Sequence, residues 1–195
     1  MFGLFGKKKA APVRVVAVLN ARLQPLDRGE IEDAFDTAMS EQGFGIRTVG
    51  GGTLLEANGE VSQCDIEIEI DDFSDKAVDT VKGVLGAMLA PRGSHLLLPS
   101  QNNQRIAFGT HEGLALYLNG TDLPDEVYRA CDSNHVYAEC QRLLEGVGHV
   151  ASHWQGPTET ALYMYGRNFE EMRQRVGSFL QAYPLCARCR IEQIA

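Results

Sequence analysis

The segment NGEVSQCDIEIEIDD, residues 58–72, contains the pattern that decides the fold. It opens with Asn58-Gly59, the strongest two-residue signal for a β-hairpin, so we expect a strand on each side, over 46–56 and 61–70. In the second strand isoleucine alternates with carboxylate, and successive side chains of a strand point to opposite faces of its sheet. One face of this strand is therefore apolar, and the other carries an acidic column: Asp65, Glu67, Glu69 and Asp71.

The hairpin lies in the middle of a β-α-β-β-α-β pattern in the first half of the chain. A strand over 13–23 precedes it, and a helix that opens with a capping box at Asp27 follows that strand. After the hairpin, Ser74 is expected to cap a second helix, which Pro91 ends, and HLLLP closes the half as a strand over 95–99. This order is that of a ferredoxin-like unit, an antiparallel sheet with two helices on one face.

The second half repeats this order. A strand over 114–120 leads to a helix capped by Asp132, a hairpin across Gly156-Pro157, a helix opened by Asn168 and a final strand. The sequence therefore predicts an α+β protein of two tandem ferredoxin-like βαββαβ repeats with antiparallel sheets, an internal duplication. The expected parts are a flexible N-terminal tail (1–12), a first repeat (13–99) and a second repeat (100–195), joined through the polar segment PSQNNQRIAFGT (99–110).

The same periodicity predicts which side chains lie on the open face of each sheet, away from the helices. The isoleucines are expected to meet the helices, which leaves the acidic column on the open face of the first sheet. In the second half Leu162 and Met164 take the core side, so Tyr163 and Tyr165 line the other open face. Three interpretations of the acidic column stay open: it is solvated, it is satisfied within the chain by Arg14, Arg22 or tyrosine hydroxyls of the other repeat, or it receives a basic partner or a metal ion.

Composition limits the classes of partner. The chain has 195 residues, 44% of them hydrophobic, and a formal net charge of −8, which disfavours nucleic acid and favours basic proteins. Five cysteines make an odd set, which argues against a disulfide scaffold and indicates a reducing, cytoplasmic location. No apolar run approaches 18 residues, so we expect no stable membrane insertion.

Motifs for catalysis or metal binding are weak. The glycines at 50–52 fall inside a strand pattern, which indicates a bulge or the close approach of another backbone rather than a phosphate loop. Cys186 and Cys189 have CxxC spacing, but no second pair completes a zinc site and the motif precedes a strand, so packing thiols are favoured and a redox or metal role stays open. No catalytic residue, metal site or cofactor is assigned, and the chain is expected to be non-enzymatic.

Trp154 is the one tryptophan and lies beside the second hairpin turn. Together with Tyr163 and Tyr165 it would anchor a partner if these rings were exposed, because aromatic side chains dominate binding hot spots. The alternative is that Trp154 fills a gap between the repeats.

Four passages resemble uncharacterised bacterial proteins of similar length. They are GGGTLLEANGEVSQCDIEIEI (50–70), LPDEVYRACD (123–132), GPTETALYMYG (156–166) and YPLCARCRIEQIA (183–195). The resemblance implies no mechanism, and at fold level the pattern is similar to ferredoxin-like proteins, which host many unrelated functions.

Three functional hypotheses follow. The leading one is a binding protein that engages a basic partner through the acidic sheet face and an aromatic rim of Trp154, Tyr163 and Tyr165, similar in character to small immunity proteins that neutralise basic toxins. The second is a small-molecule sensor with its ligand between the repeats or at the glycine strand, in a pocket lined by Asn20, Asn119 and tyrosines. The third is a hydrolase or metal-dependent enzyme. The oligomeric state stays open.

Overall fold

The first repeat of the computed structural model, which describes residues 11–195, is the expected β-α-β-β-α-β unit. The alternating strand pattern and the apolar helix stripes form the elements that they predict. The elements are β1 Val13–Leu19, α1 Pro25–Glu41, β2 Ile46–Leu55, β3 Val61–Ile70, α2 Asp75–Ala87 and β4 His95–Leu98.

The second repeat follows the same order, after one additional strand. Asp132 and Asn168 cap its two longer helices as predicted, because their side chains accept hydrogen bonds from the backbone N–H groups of Asn134 and Glu171. Strand β5 Gln104–Ala107 precedes the second repeat, whose elements are β6 Glu112–Asn119, α3 Asp125–Ala130, α4 Ser133–Leu143, β7 Gly148–Gln155, β8 Glu159–Gly166, α5 Phe169–Ala182 and β9 Arg190–Gln193.

Strand order confirms two tandem ferredoxin-like α+β repeats. The first sheet has the order β2-β3-β1-β4-β5 and the second β7-β8-β6-β9. In both, the first and third strands of the repeat are central neighbours, and the strand pairs are antiparallel. Ile66, Ile68 and Ile70 are buried among side chains of α1 and α2, as the alternation predicted. Leu162 and Met164 take the equivalent place in the second core.

Two local predictions were wrong. Helix α1 begins at Pro25 after Gln24, which makes no side-chain cap, and the Asp27 carboxylate instead accepts a hydrogen bond from Ser152 of the second repeat. Residues 104–107 of the expected linker form β5, which pairs with β4 and so belongs to the first sheet. Asn102 and Asn103, both at φ 57°, make the tight turn that this hairpin needs, since Asn tolerates the left-handed conformation.

The expected flexible tail, residues 1–12, lies outside the described residues except for positions 11 and 12. No helix within residues 11–195 is both long and apolar enough to cross a membrane.

The two open sheet faces have different surroundings. Ala115, Tyr163 and Tyr165, on the open face of the second sheet, belong to one buried cluster with Ala21 and Leu23, which lie between β1 and α1. The end of the first repeat therefore covers the second open face. The first open face keeps solvent-exposed side chains, including Arg14 on β1 and Arg105 on β5. The fold thus leaves one sheet face accessible within the described chain.

Candidate functional site

The acidic column lies on the accessible face of the first sheet. Asp65, Glu67 and Glu69 lie on β3, where each carboxylate alternates with a buried residue, and Asp71 directly follows the strand. The side chains of Glu67, Glu69 and Asp71 are 38%, 25% and 21% exposed. Water therefore reaches the column, but neighbouring side chains cover part of it.

Two arginines neutralise one end of the column. Arg14 lies opposite Glu69 on β1, and its guanidinium is 3.0 Å from Glu67 Oε2 and 3.5 Å from Glu69 Oε1. Arg47 lies opposite Glu69 on β2 and bridges Glu69 Oε2 at 2.5 Å and Asp71 Oδ1 at 3.0 Å. The interpretation that the column is satisfied within the chain is therefore right for Arg14. It missed Arg47, and it wrongly included Arg22 and the tyrosine hydroxyls, which bind Glu60 instead.

The other end of the column retains negative charge. Within residues 11–195 Asp65 makes no salt bridge, and Glu67 has Arg14 as its cationic partner. Their neighbours across the sheet on β2 are Gly52 and Gly50, which have no side chain to cover them. A Cβ placed on Gly52 would lie 2.9 Å from Asp65 Oδ1, so this carboxylate occupies the space beside the glycine.

Apolar side chains form the surface next to this end of the column. Val16 and Val18 on β1 lie directly opposite Glu67 and Asp65, and both are half-buried. Leu97 and His95 follow on β4, also half-buried. The accessible face therefore combines a largely apolar strip with two adjacent carboxylates, Asp65 without a salt bridge among the described residues and Glu67 paired with Arg14, which is a suitable composition for a protein contact.

The predicted aromatic rim is wrong. Tyr163, Tyr165 and Trp154 are 0%, 2% and 8% exposed, and all three lie in the cluster that joins the repeats. Burying such a ring contributes about 1.5–3 kcal/mol to stability, so these aromatics hold the repeats together. The alternative interpretation, in which Trp154 packs between the repeats, agrees with this burial.

A largely buried network of hydrogen bonds and one ion pair connects the two repeats next to these aromatic rings. Glu60, which directly precedes β3 in the β2–β3 hairpin, accepts hydrogen bonds from the hydroxyls of Tyr117 at 2.6 Å and Tyr163 at 2.8 Å. It also forms a salt bridge with Arg22. Burial alone would raise the pKa of Glu60, but the two tyrosine hydrogen bonds and the charge of Arg22 outweigh it, so the pKa lies below its ordinary value. Burial and the hydrogen bond to Glu60 raise the pKa of Tyr117 to about 12. The network therefore stays ionised as Arg22–Glu60 and has a structural role.

The apolar cavity inside the contact between the repeats is too small for a drug-sized ligand. It lies between Leu19, Leu85 and Tyr165 and has a volume of about 30 Å³, whereas drug-sized ligands need roughly 300 Å³ or more. A larger, open groove of about 690 Å³ lies between the repeats beside Leu26 and Trp154, but neither Asn20 nor Asn119 lines it. Asn20 binds Ser94 and Arg92 of its own repeat, while Asn119 binds the turn at Thr121 and Asp122. The two asparagines therefore do not line a shared pocket with the tyrosines.

The glycine and cysteine motifs have structural explanations. A bulge interrupts β2 between Thr48 and Gly50, and a Cβ on Gly51 would lie 2.6 Å from the backbone oxygen of Asp65, so a bulge and a close backbone approach both occur there. All five cysteines are free thiols. Burial raises the pKa of Cys186 to about 12 and also raises that of Cys189, which leaves both protonated at neutral pH. Within residues 11–195 no three histidine, cysteine or acidic side chains are grouped to hold a metal ion.

Comparisons with known proteins give likeness at the level of the fold. No family model and no curated protein matches the chain. Among solved structures, it is similar to the first two RRM domains of a yeast poly(U)-binding protein, with 12% identity over 93% of this chain and 99% of that one and a TM-score of 0.26. It is also similar to the regulatory subunit of aspartate kinase from Thermus flavus, with 12% identity over 86% of this chain and 93% of that one and a TM-score of 0.29. A putative monooxygenase from Fusobacterium nucleatum has 10% identity over 95% of this chain and 92% of that one, with a TM-score of 0.33. Such likenesses transfer no ligand and no activity.

Proposed function

We propose that this chain is a non-enzymatic binding protein that docks a basic protein partner on the open face of its first sheet. The observation that supports this proposal is the asymmetry of the two repeats. The open face of the second sheet is buried in the contact between the repeats. The open face of the first sheet keeps Asp65 and Glu67 accessible beside Val16 and Val18.

Charge supports a basic partner over other classes. The chain carries a net charge of −8, and the accessible carboxylates add local negative potential that accelerates encounter with a cationic surface. The same potential repels the phosphates of nucleic acid. The half-buried valines would supply the desolvated contact that holds the complex once the charges have aligned it. Five free thiols suit a reducing cytoplasm, which we propose as the location.

Isosteric charge removal tests the proposal. The chain is immobilised, partners are captured from a lysate of its source, and each captured protein is purified and rebound. We expect a partner that wild type binds and the Asp65→Asn/Glu67→Gln variant binds about tenfold less tightly, because a charge-assisted contact contributes about 1.4 kcal/mol or more. Glu69 is left unchanged so that Arg14, which loses its partner Glu67 in this variant, and Arg47 both keep a carboxylate partner.

The matched control is Glu170→Gln/Glu171→Gln, which removes two charges from exposed positions of α5. It should bind like wild type. The association rate of wild type should fall by about tenfold between 0.05 and 0.5 M salt, since screening removes electrostatic steering. Equal binding by the Asp65/Glu67 variant, or an association rate independent of salt, would refute docking on this face.

A further inference from the structure

Strand β2 forms a long edge of the accessible sheet. It spans ten residues, and among the described strands it pairs with β3 alone. Edge strands present unpaired backbone N–H and C=O groups, and native proteins usually shield them. One end is shielded here, because the backbone N–H and hydroxyl of Thr48 both bind the Asp36 carboxylate of α1 at 2.7 Å. Beyond the bulge the Glu32 carboxylate of α1 also lies near Gly51, but no hydrogen bond within residues 11–195 joins it to a backbone N–H of β2.

Exposed apolar side chains concentrate on this strand. Within residues 11–195 five large hydrophobic side chains are classed as exposed, and three of them, Val49, Leu54 and Leu55, lie on β2 at 40%, 56% and 57% exposure. The other two, Leu26 and Tyr137, lie on separate helices. An exposed, apolar edge strand is a template for pairing with another chain.

The glycines give this edge an electrostatic character. Gly50 and Gly52 of this edge lie opposite Glu67, which is paired with Arg14, and Asp65, which makes no salt bridge within residues 11–195. A Cβ on Gly50 would lie 3.8 Å from Glu67 Oε2, so no side chain separates that oxygen from the edge. A strand added beside β2 would have its Cα atoms about 10 Å from those of β3, since adjacent strands lie about 4.8 Å apart. Together, a lysine or arginine side chain on the added strand and a carboxylate side chain on β3 span that distance across a glycine.

We propose that the β2 edge accepts an extended, basic segment of the partner as a sixth strand of the first sheet. This proposal rests on the proposed function and names how the partner binds. Backbone hydrogen bonds would supply affinity, and alternate lysines or arginines would reach Asp65 and Glu67. Leu54, opposite Gln63, lies on the same face of the sheet as these carboxylates, so the apolar stem of one of those basic side chains would contact it. A second copy of this chain fits less well, because two copies paired along β2 would bring the same carboxylates together.

The probe is a synthetic peptide of about nine residues that alternates lysine with valine. Its binding is followed by fluorescence anisotropy, and the site is mapped by amide hydrogen exchange of the fragment that covers 46–55. We expect the peptide to slow exchange in that fragment and to leave β7, the edge of the second sheet, unchanged. A peptide with proline at every second position should not bind, because proline removes the N–H groups that a strand pair requires.

Two leucine variants provide a matched pair. Leu54→Lys places a cation on the edge and should weaken peptide binding about tenfold. Leu26→Lys makes the same change at a leucine that is 85% exposed on α1, and it should bind the peptide like wild type. Both positions are exposed, so neither variant should lose its fold.

The outcomes separate this proposal from the function on which it rests. Peptide binding without protection of 46–55, no binding at millimolar peptide, or protection that rises with protein concentration in the absence of peptide would each overturn strand addition. A partner whose binding falls in Asp65→Asn/Glu67→Gln but not in Leu54→Lys would keep the acidic docking face and refute the edge. Weaker partner binding in both Asp65→Asn/Glu67→Gln and Leu54→Lys, with slowed hydrogen exchange in β2, supports both the docking face and strand addition.

Discussion

The backbone N–H of Arg22 donates a hydrogen bond of 2.8 Å to the hydroxyl of Tyr165 across the junction of the repeats. Tyr165 is 2% exposed, so water does not replace this acceptor if it is removed. We expect Tyr165→Phe to lower the free energy of unfolding by about 1–3 kcal/mol, the cost of an unsatisfied buried donor. Urea unfolding followed by Trp154 fluorescence measures it. Tyr137→Phe, at a ring that is 39% exposed, should change the free energy by less than about 0.5 kcal/mol.

Glu60 should matter more to stability than any exposed ion pair. Glu60→Gln leaves the Arg22 guanidinium without its counter-ion in a site where the two side chains are 25% and 10% exposed, Arg22 first. Removing one partner of a buried pair costs about 3–5 kcal/mol, and the partial exposure of Arg22 places our expectation at about 2–3 kcal/mol. The same substitution at Glu170, paired with Arg173 at the surface, should cost less than about 1 kcal/mol. Equal losses in the two variants would contradict a structural role for the network.

Alternation alone was enough to predict which face of the sheet each side chain of β3 takes. A slip by one residue would expose Ile66 and Ile68 and bury Glu67, so the burial of one face permits a single register. The helix caps at Asp132 and Asn168 could also be predicted from neighbouring residues alone. A short polar side chain before an apolar helix stripe is well placed to accept a hydrogen bond from a backbone N–H of the first turn.

The pairing of Arg47 needed information that the pattern lacks. Beyond the bulge, β2 and β3 pair with Gly50 opposite Glu67, and that register, continued without a bulge, would put Arg47 opposite Ile70 on the apolar face. The extra residue between Thr48 and Gly50 turns Arg47 to the acidic face. The glycines indicated a bulge but not its position.

The burial of Tyr163 and Tyr165 could not be predicted from the sequence pattern of their own strand. Tyr163 and Tyr165 were correctly placed on the open side of β8, and the side of a sheet follows from period two. Whether that side meets water depends on how the repeats dock, which is determined by contacts more than a hundred residues apart, such as Glu60 with Tyr163. No spacing in the sequence reports such a contact.

Two neighbouring glycines should respond oppositely to the same substitution. A Cβ on Gly51 would lie 2.6 Å from the backbone oxygen of Asp65, so Gly51→Ala should cost about 1–3 kcal/mol as β2 shifts from β3. A Cβ on Gly50 meets no atom nearer than 3.8 Å, so Gly50→Ala should be neutral or add about 0.5 kcal/mol by restricting the unfolded chain. Thermal unfolding of both variants measures the difference. A loss of similar size at both positions would refute the close approach at Gly51.

Acid should weaken the junction of the repeats through His149. Its ring lines the small apolar cavity beside Tyr165, and its Nδ1 atom is buried with no hydrogen-bond partner among the described residues. Burial lowers the pKa of His149, and the nearby His111 lowers it further; burial and the charge of Arg167 lower the pKa of His111 in turn. Both histidines are therefore neutral in the folded chain at neutral pH.

The sign of the pH dependence follows from these lowered values. Below about pH 6.5 the unfolded chain binds more protons at the two histidines than the folded chain, so the free energy of unfolding falls as the pH drops from 7 toward 5. The lowered pKa of Glu60 reduces the free energy of unfolding only below about pH 4.5, where its carboxylate begins to be protonated in the unfolded chain. Urea unfolding between pH 5 and 8 isolates the histidine contribution. His149→Gln should reduce the slope to the part that His111 contributes, whereas His153→Gln, at an exposed residue of the same strand, should leave the slope as in wild type. Equal slopes in wild type and in the His149→Gln variant would refute the assignment.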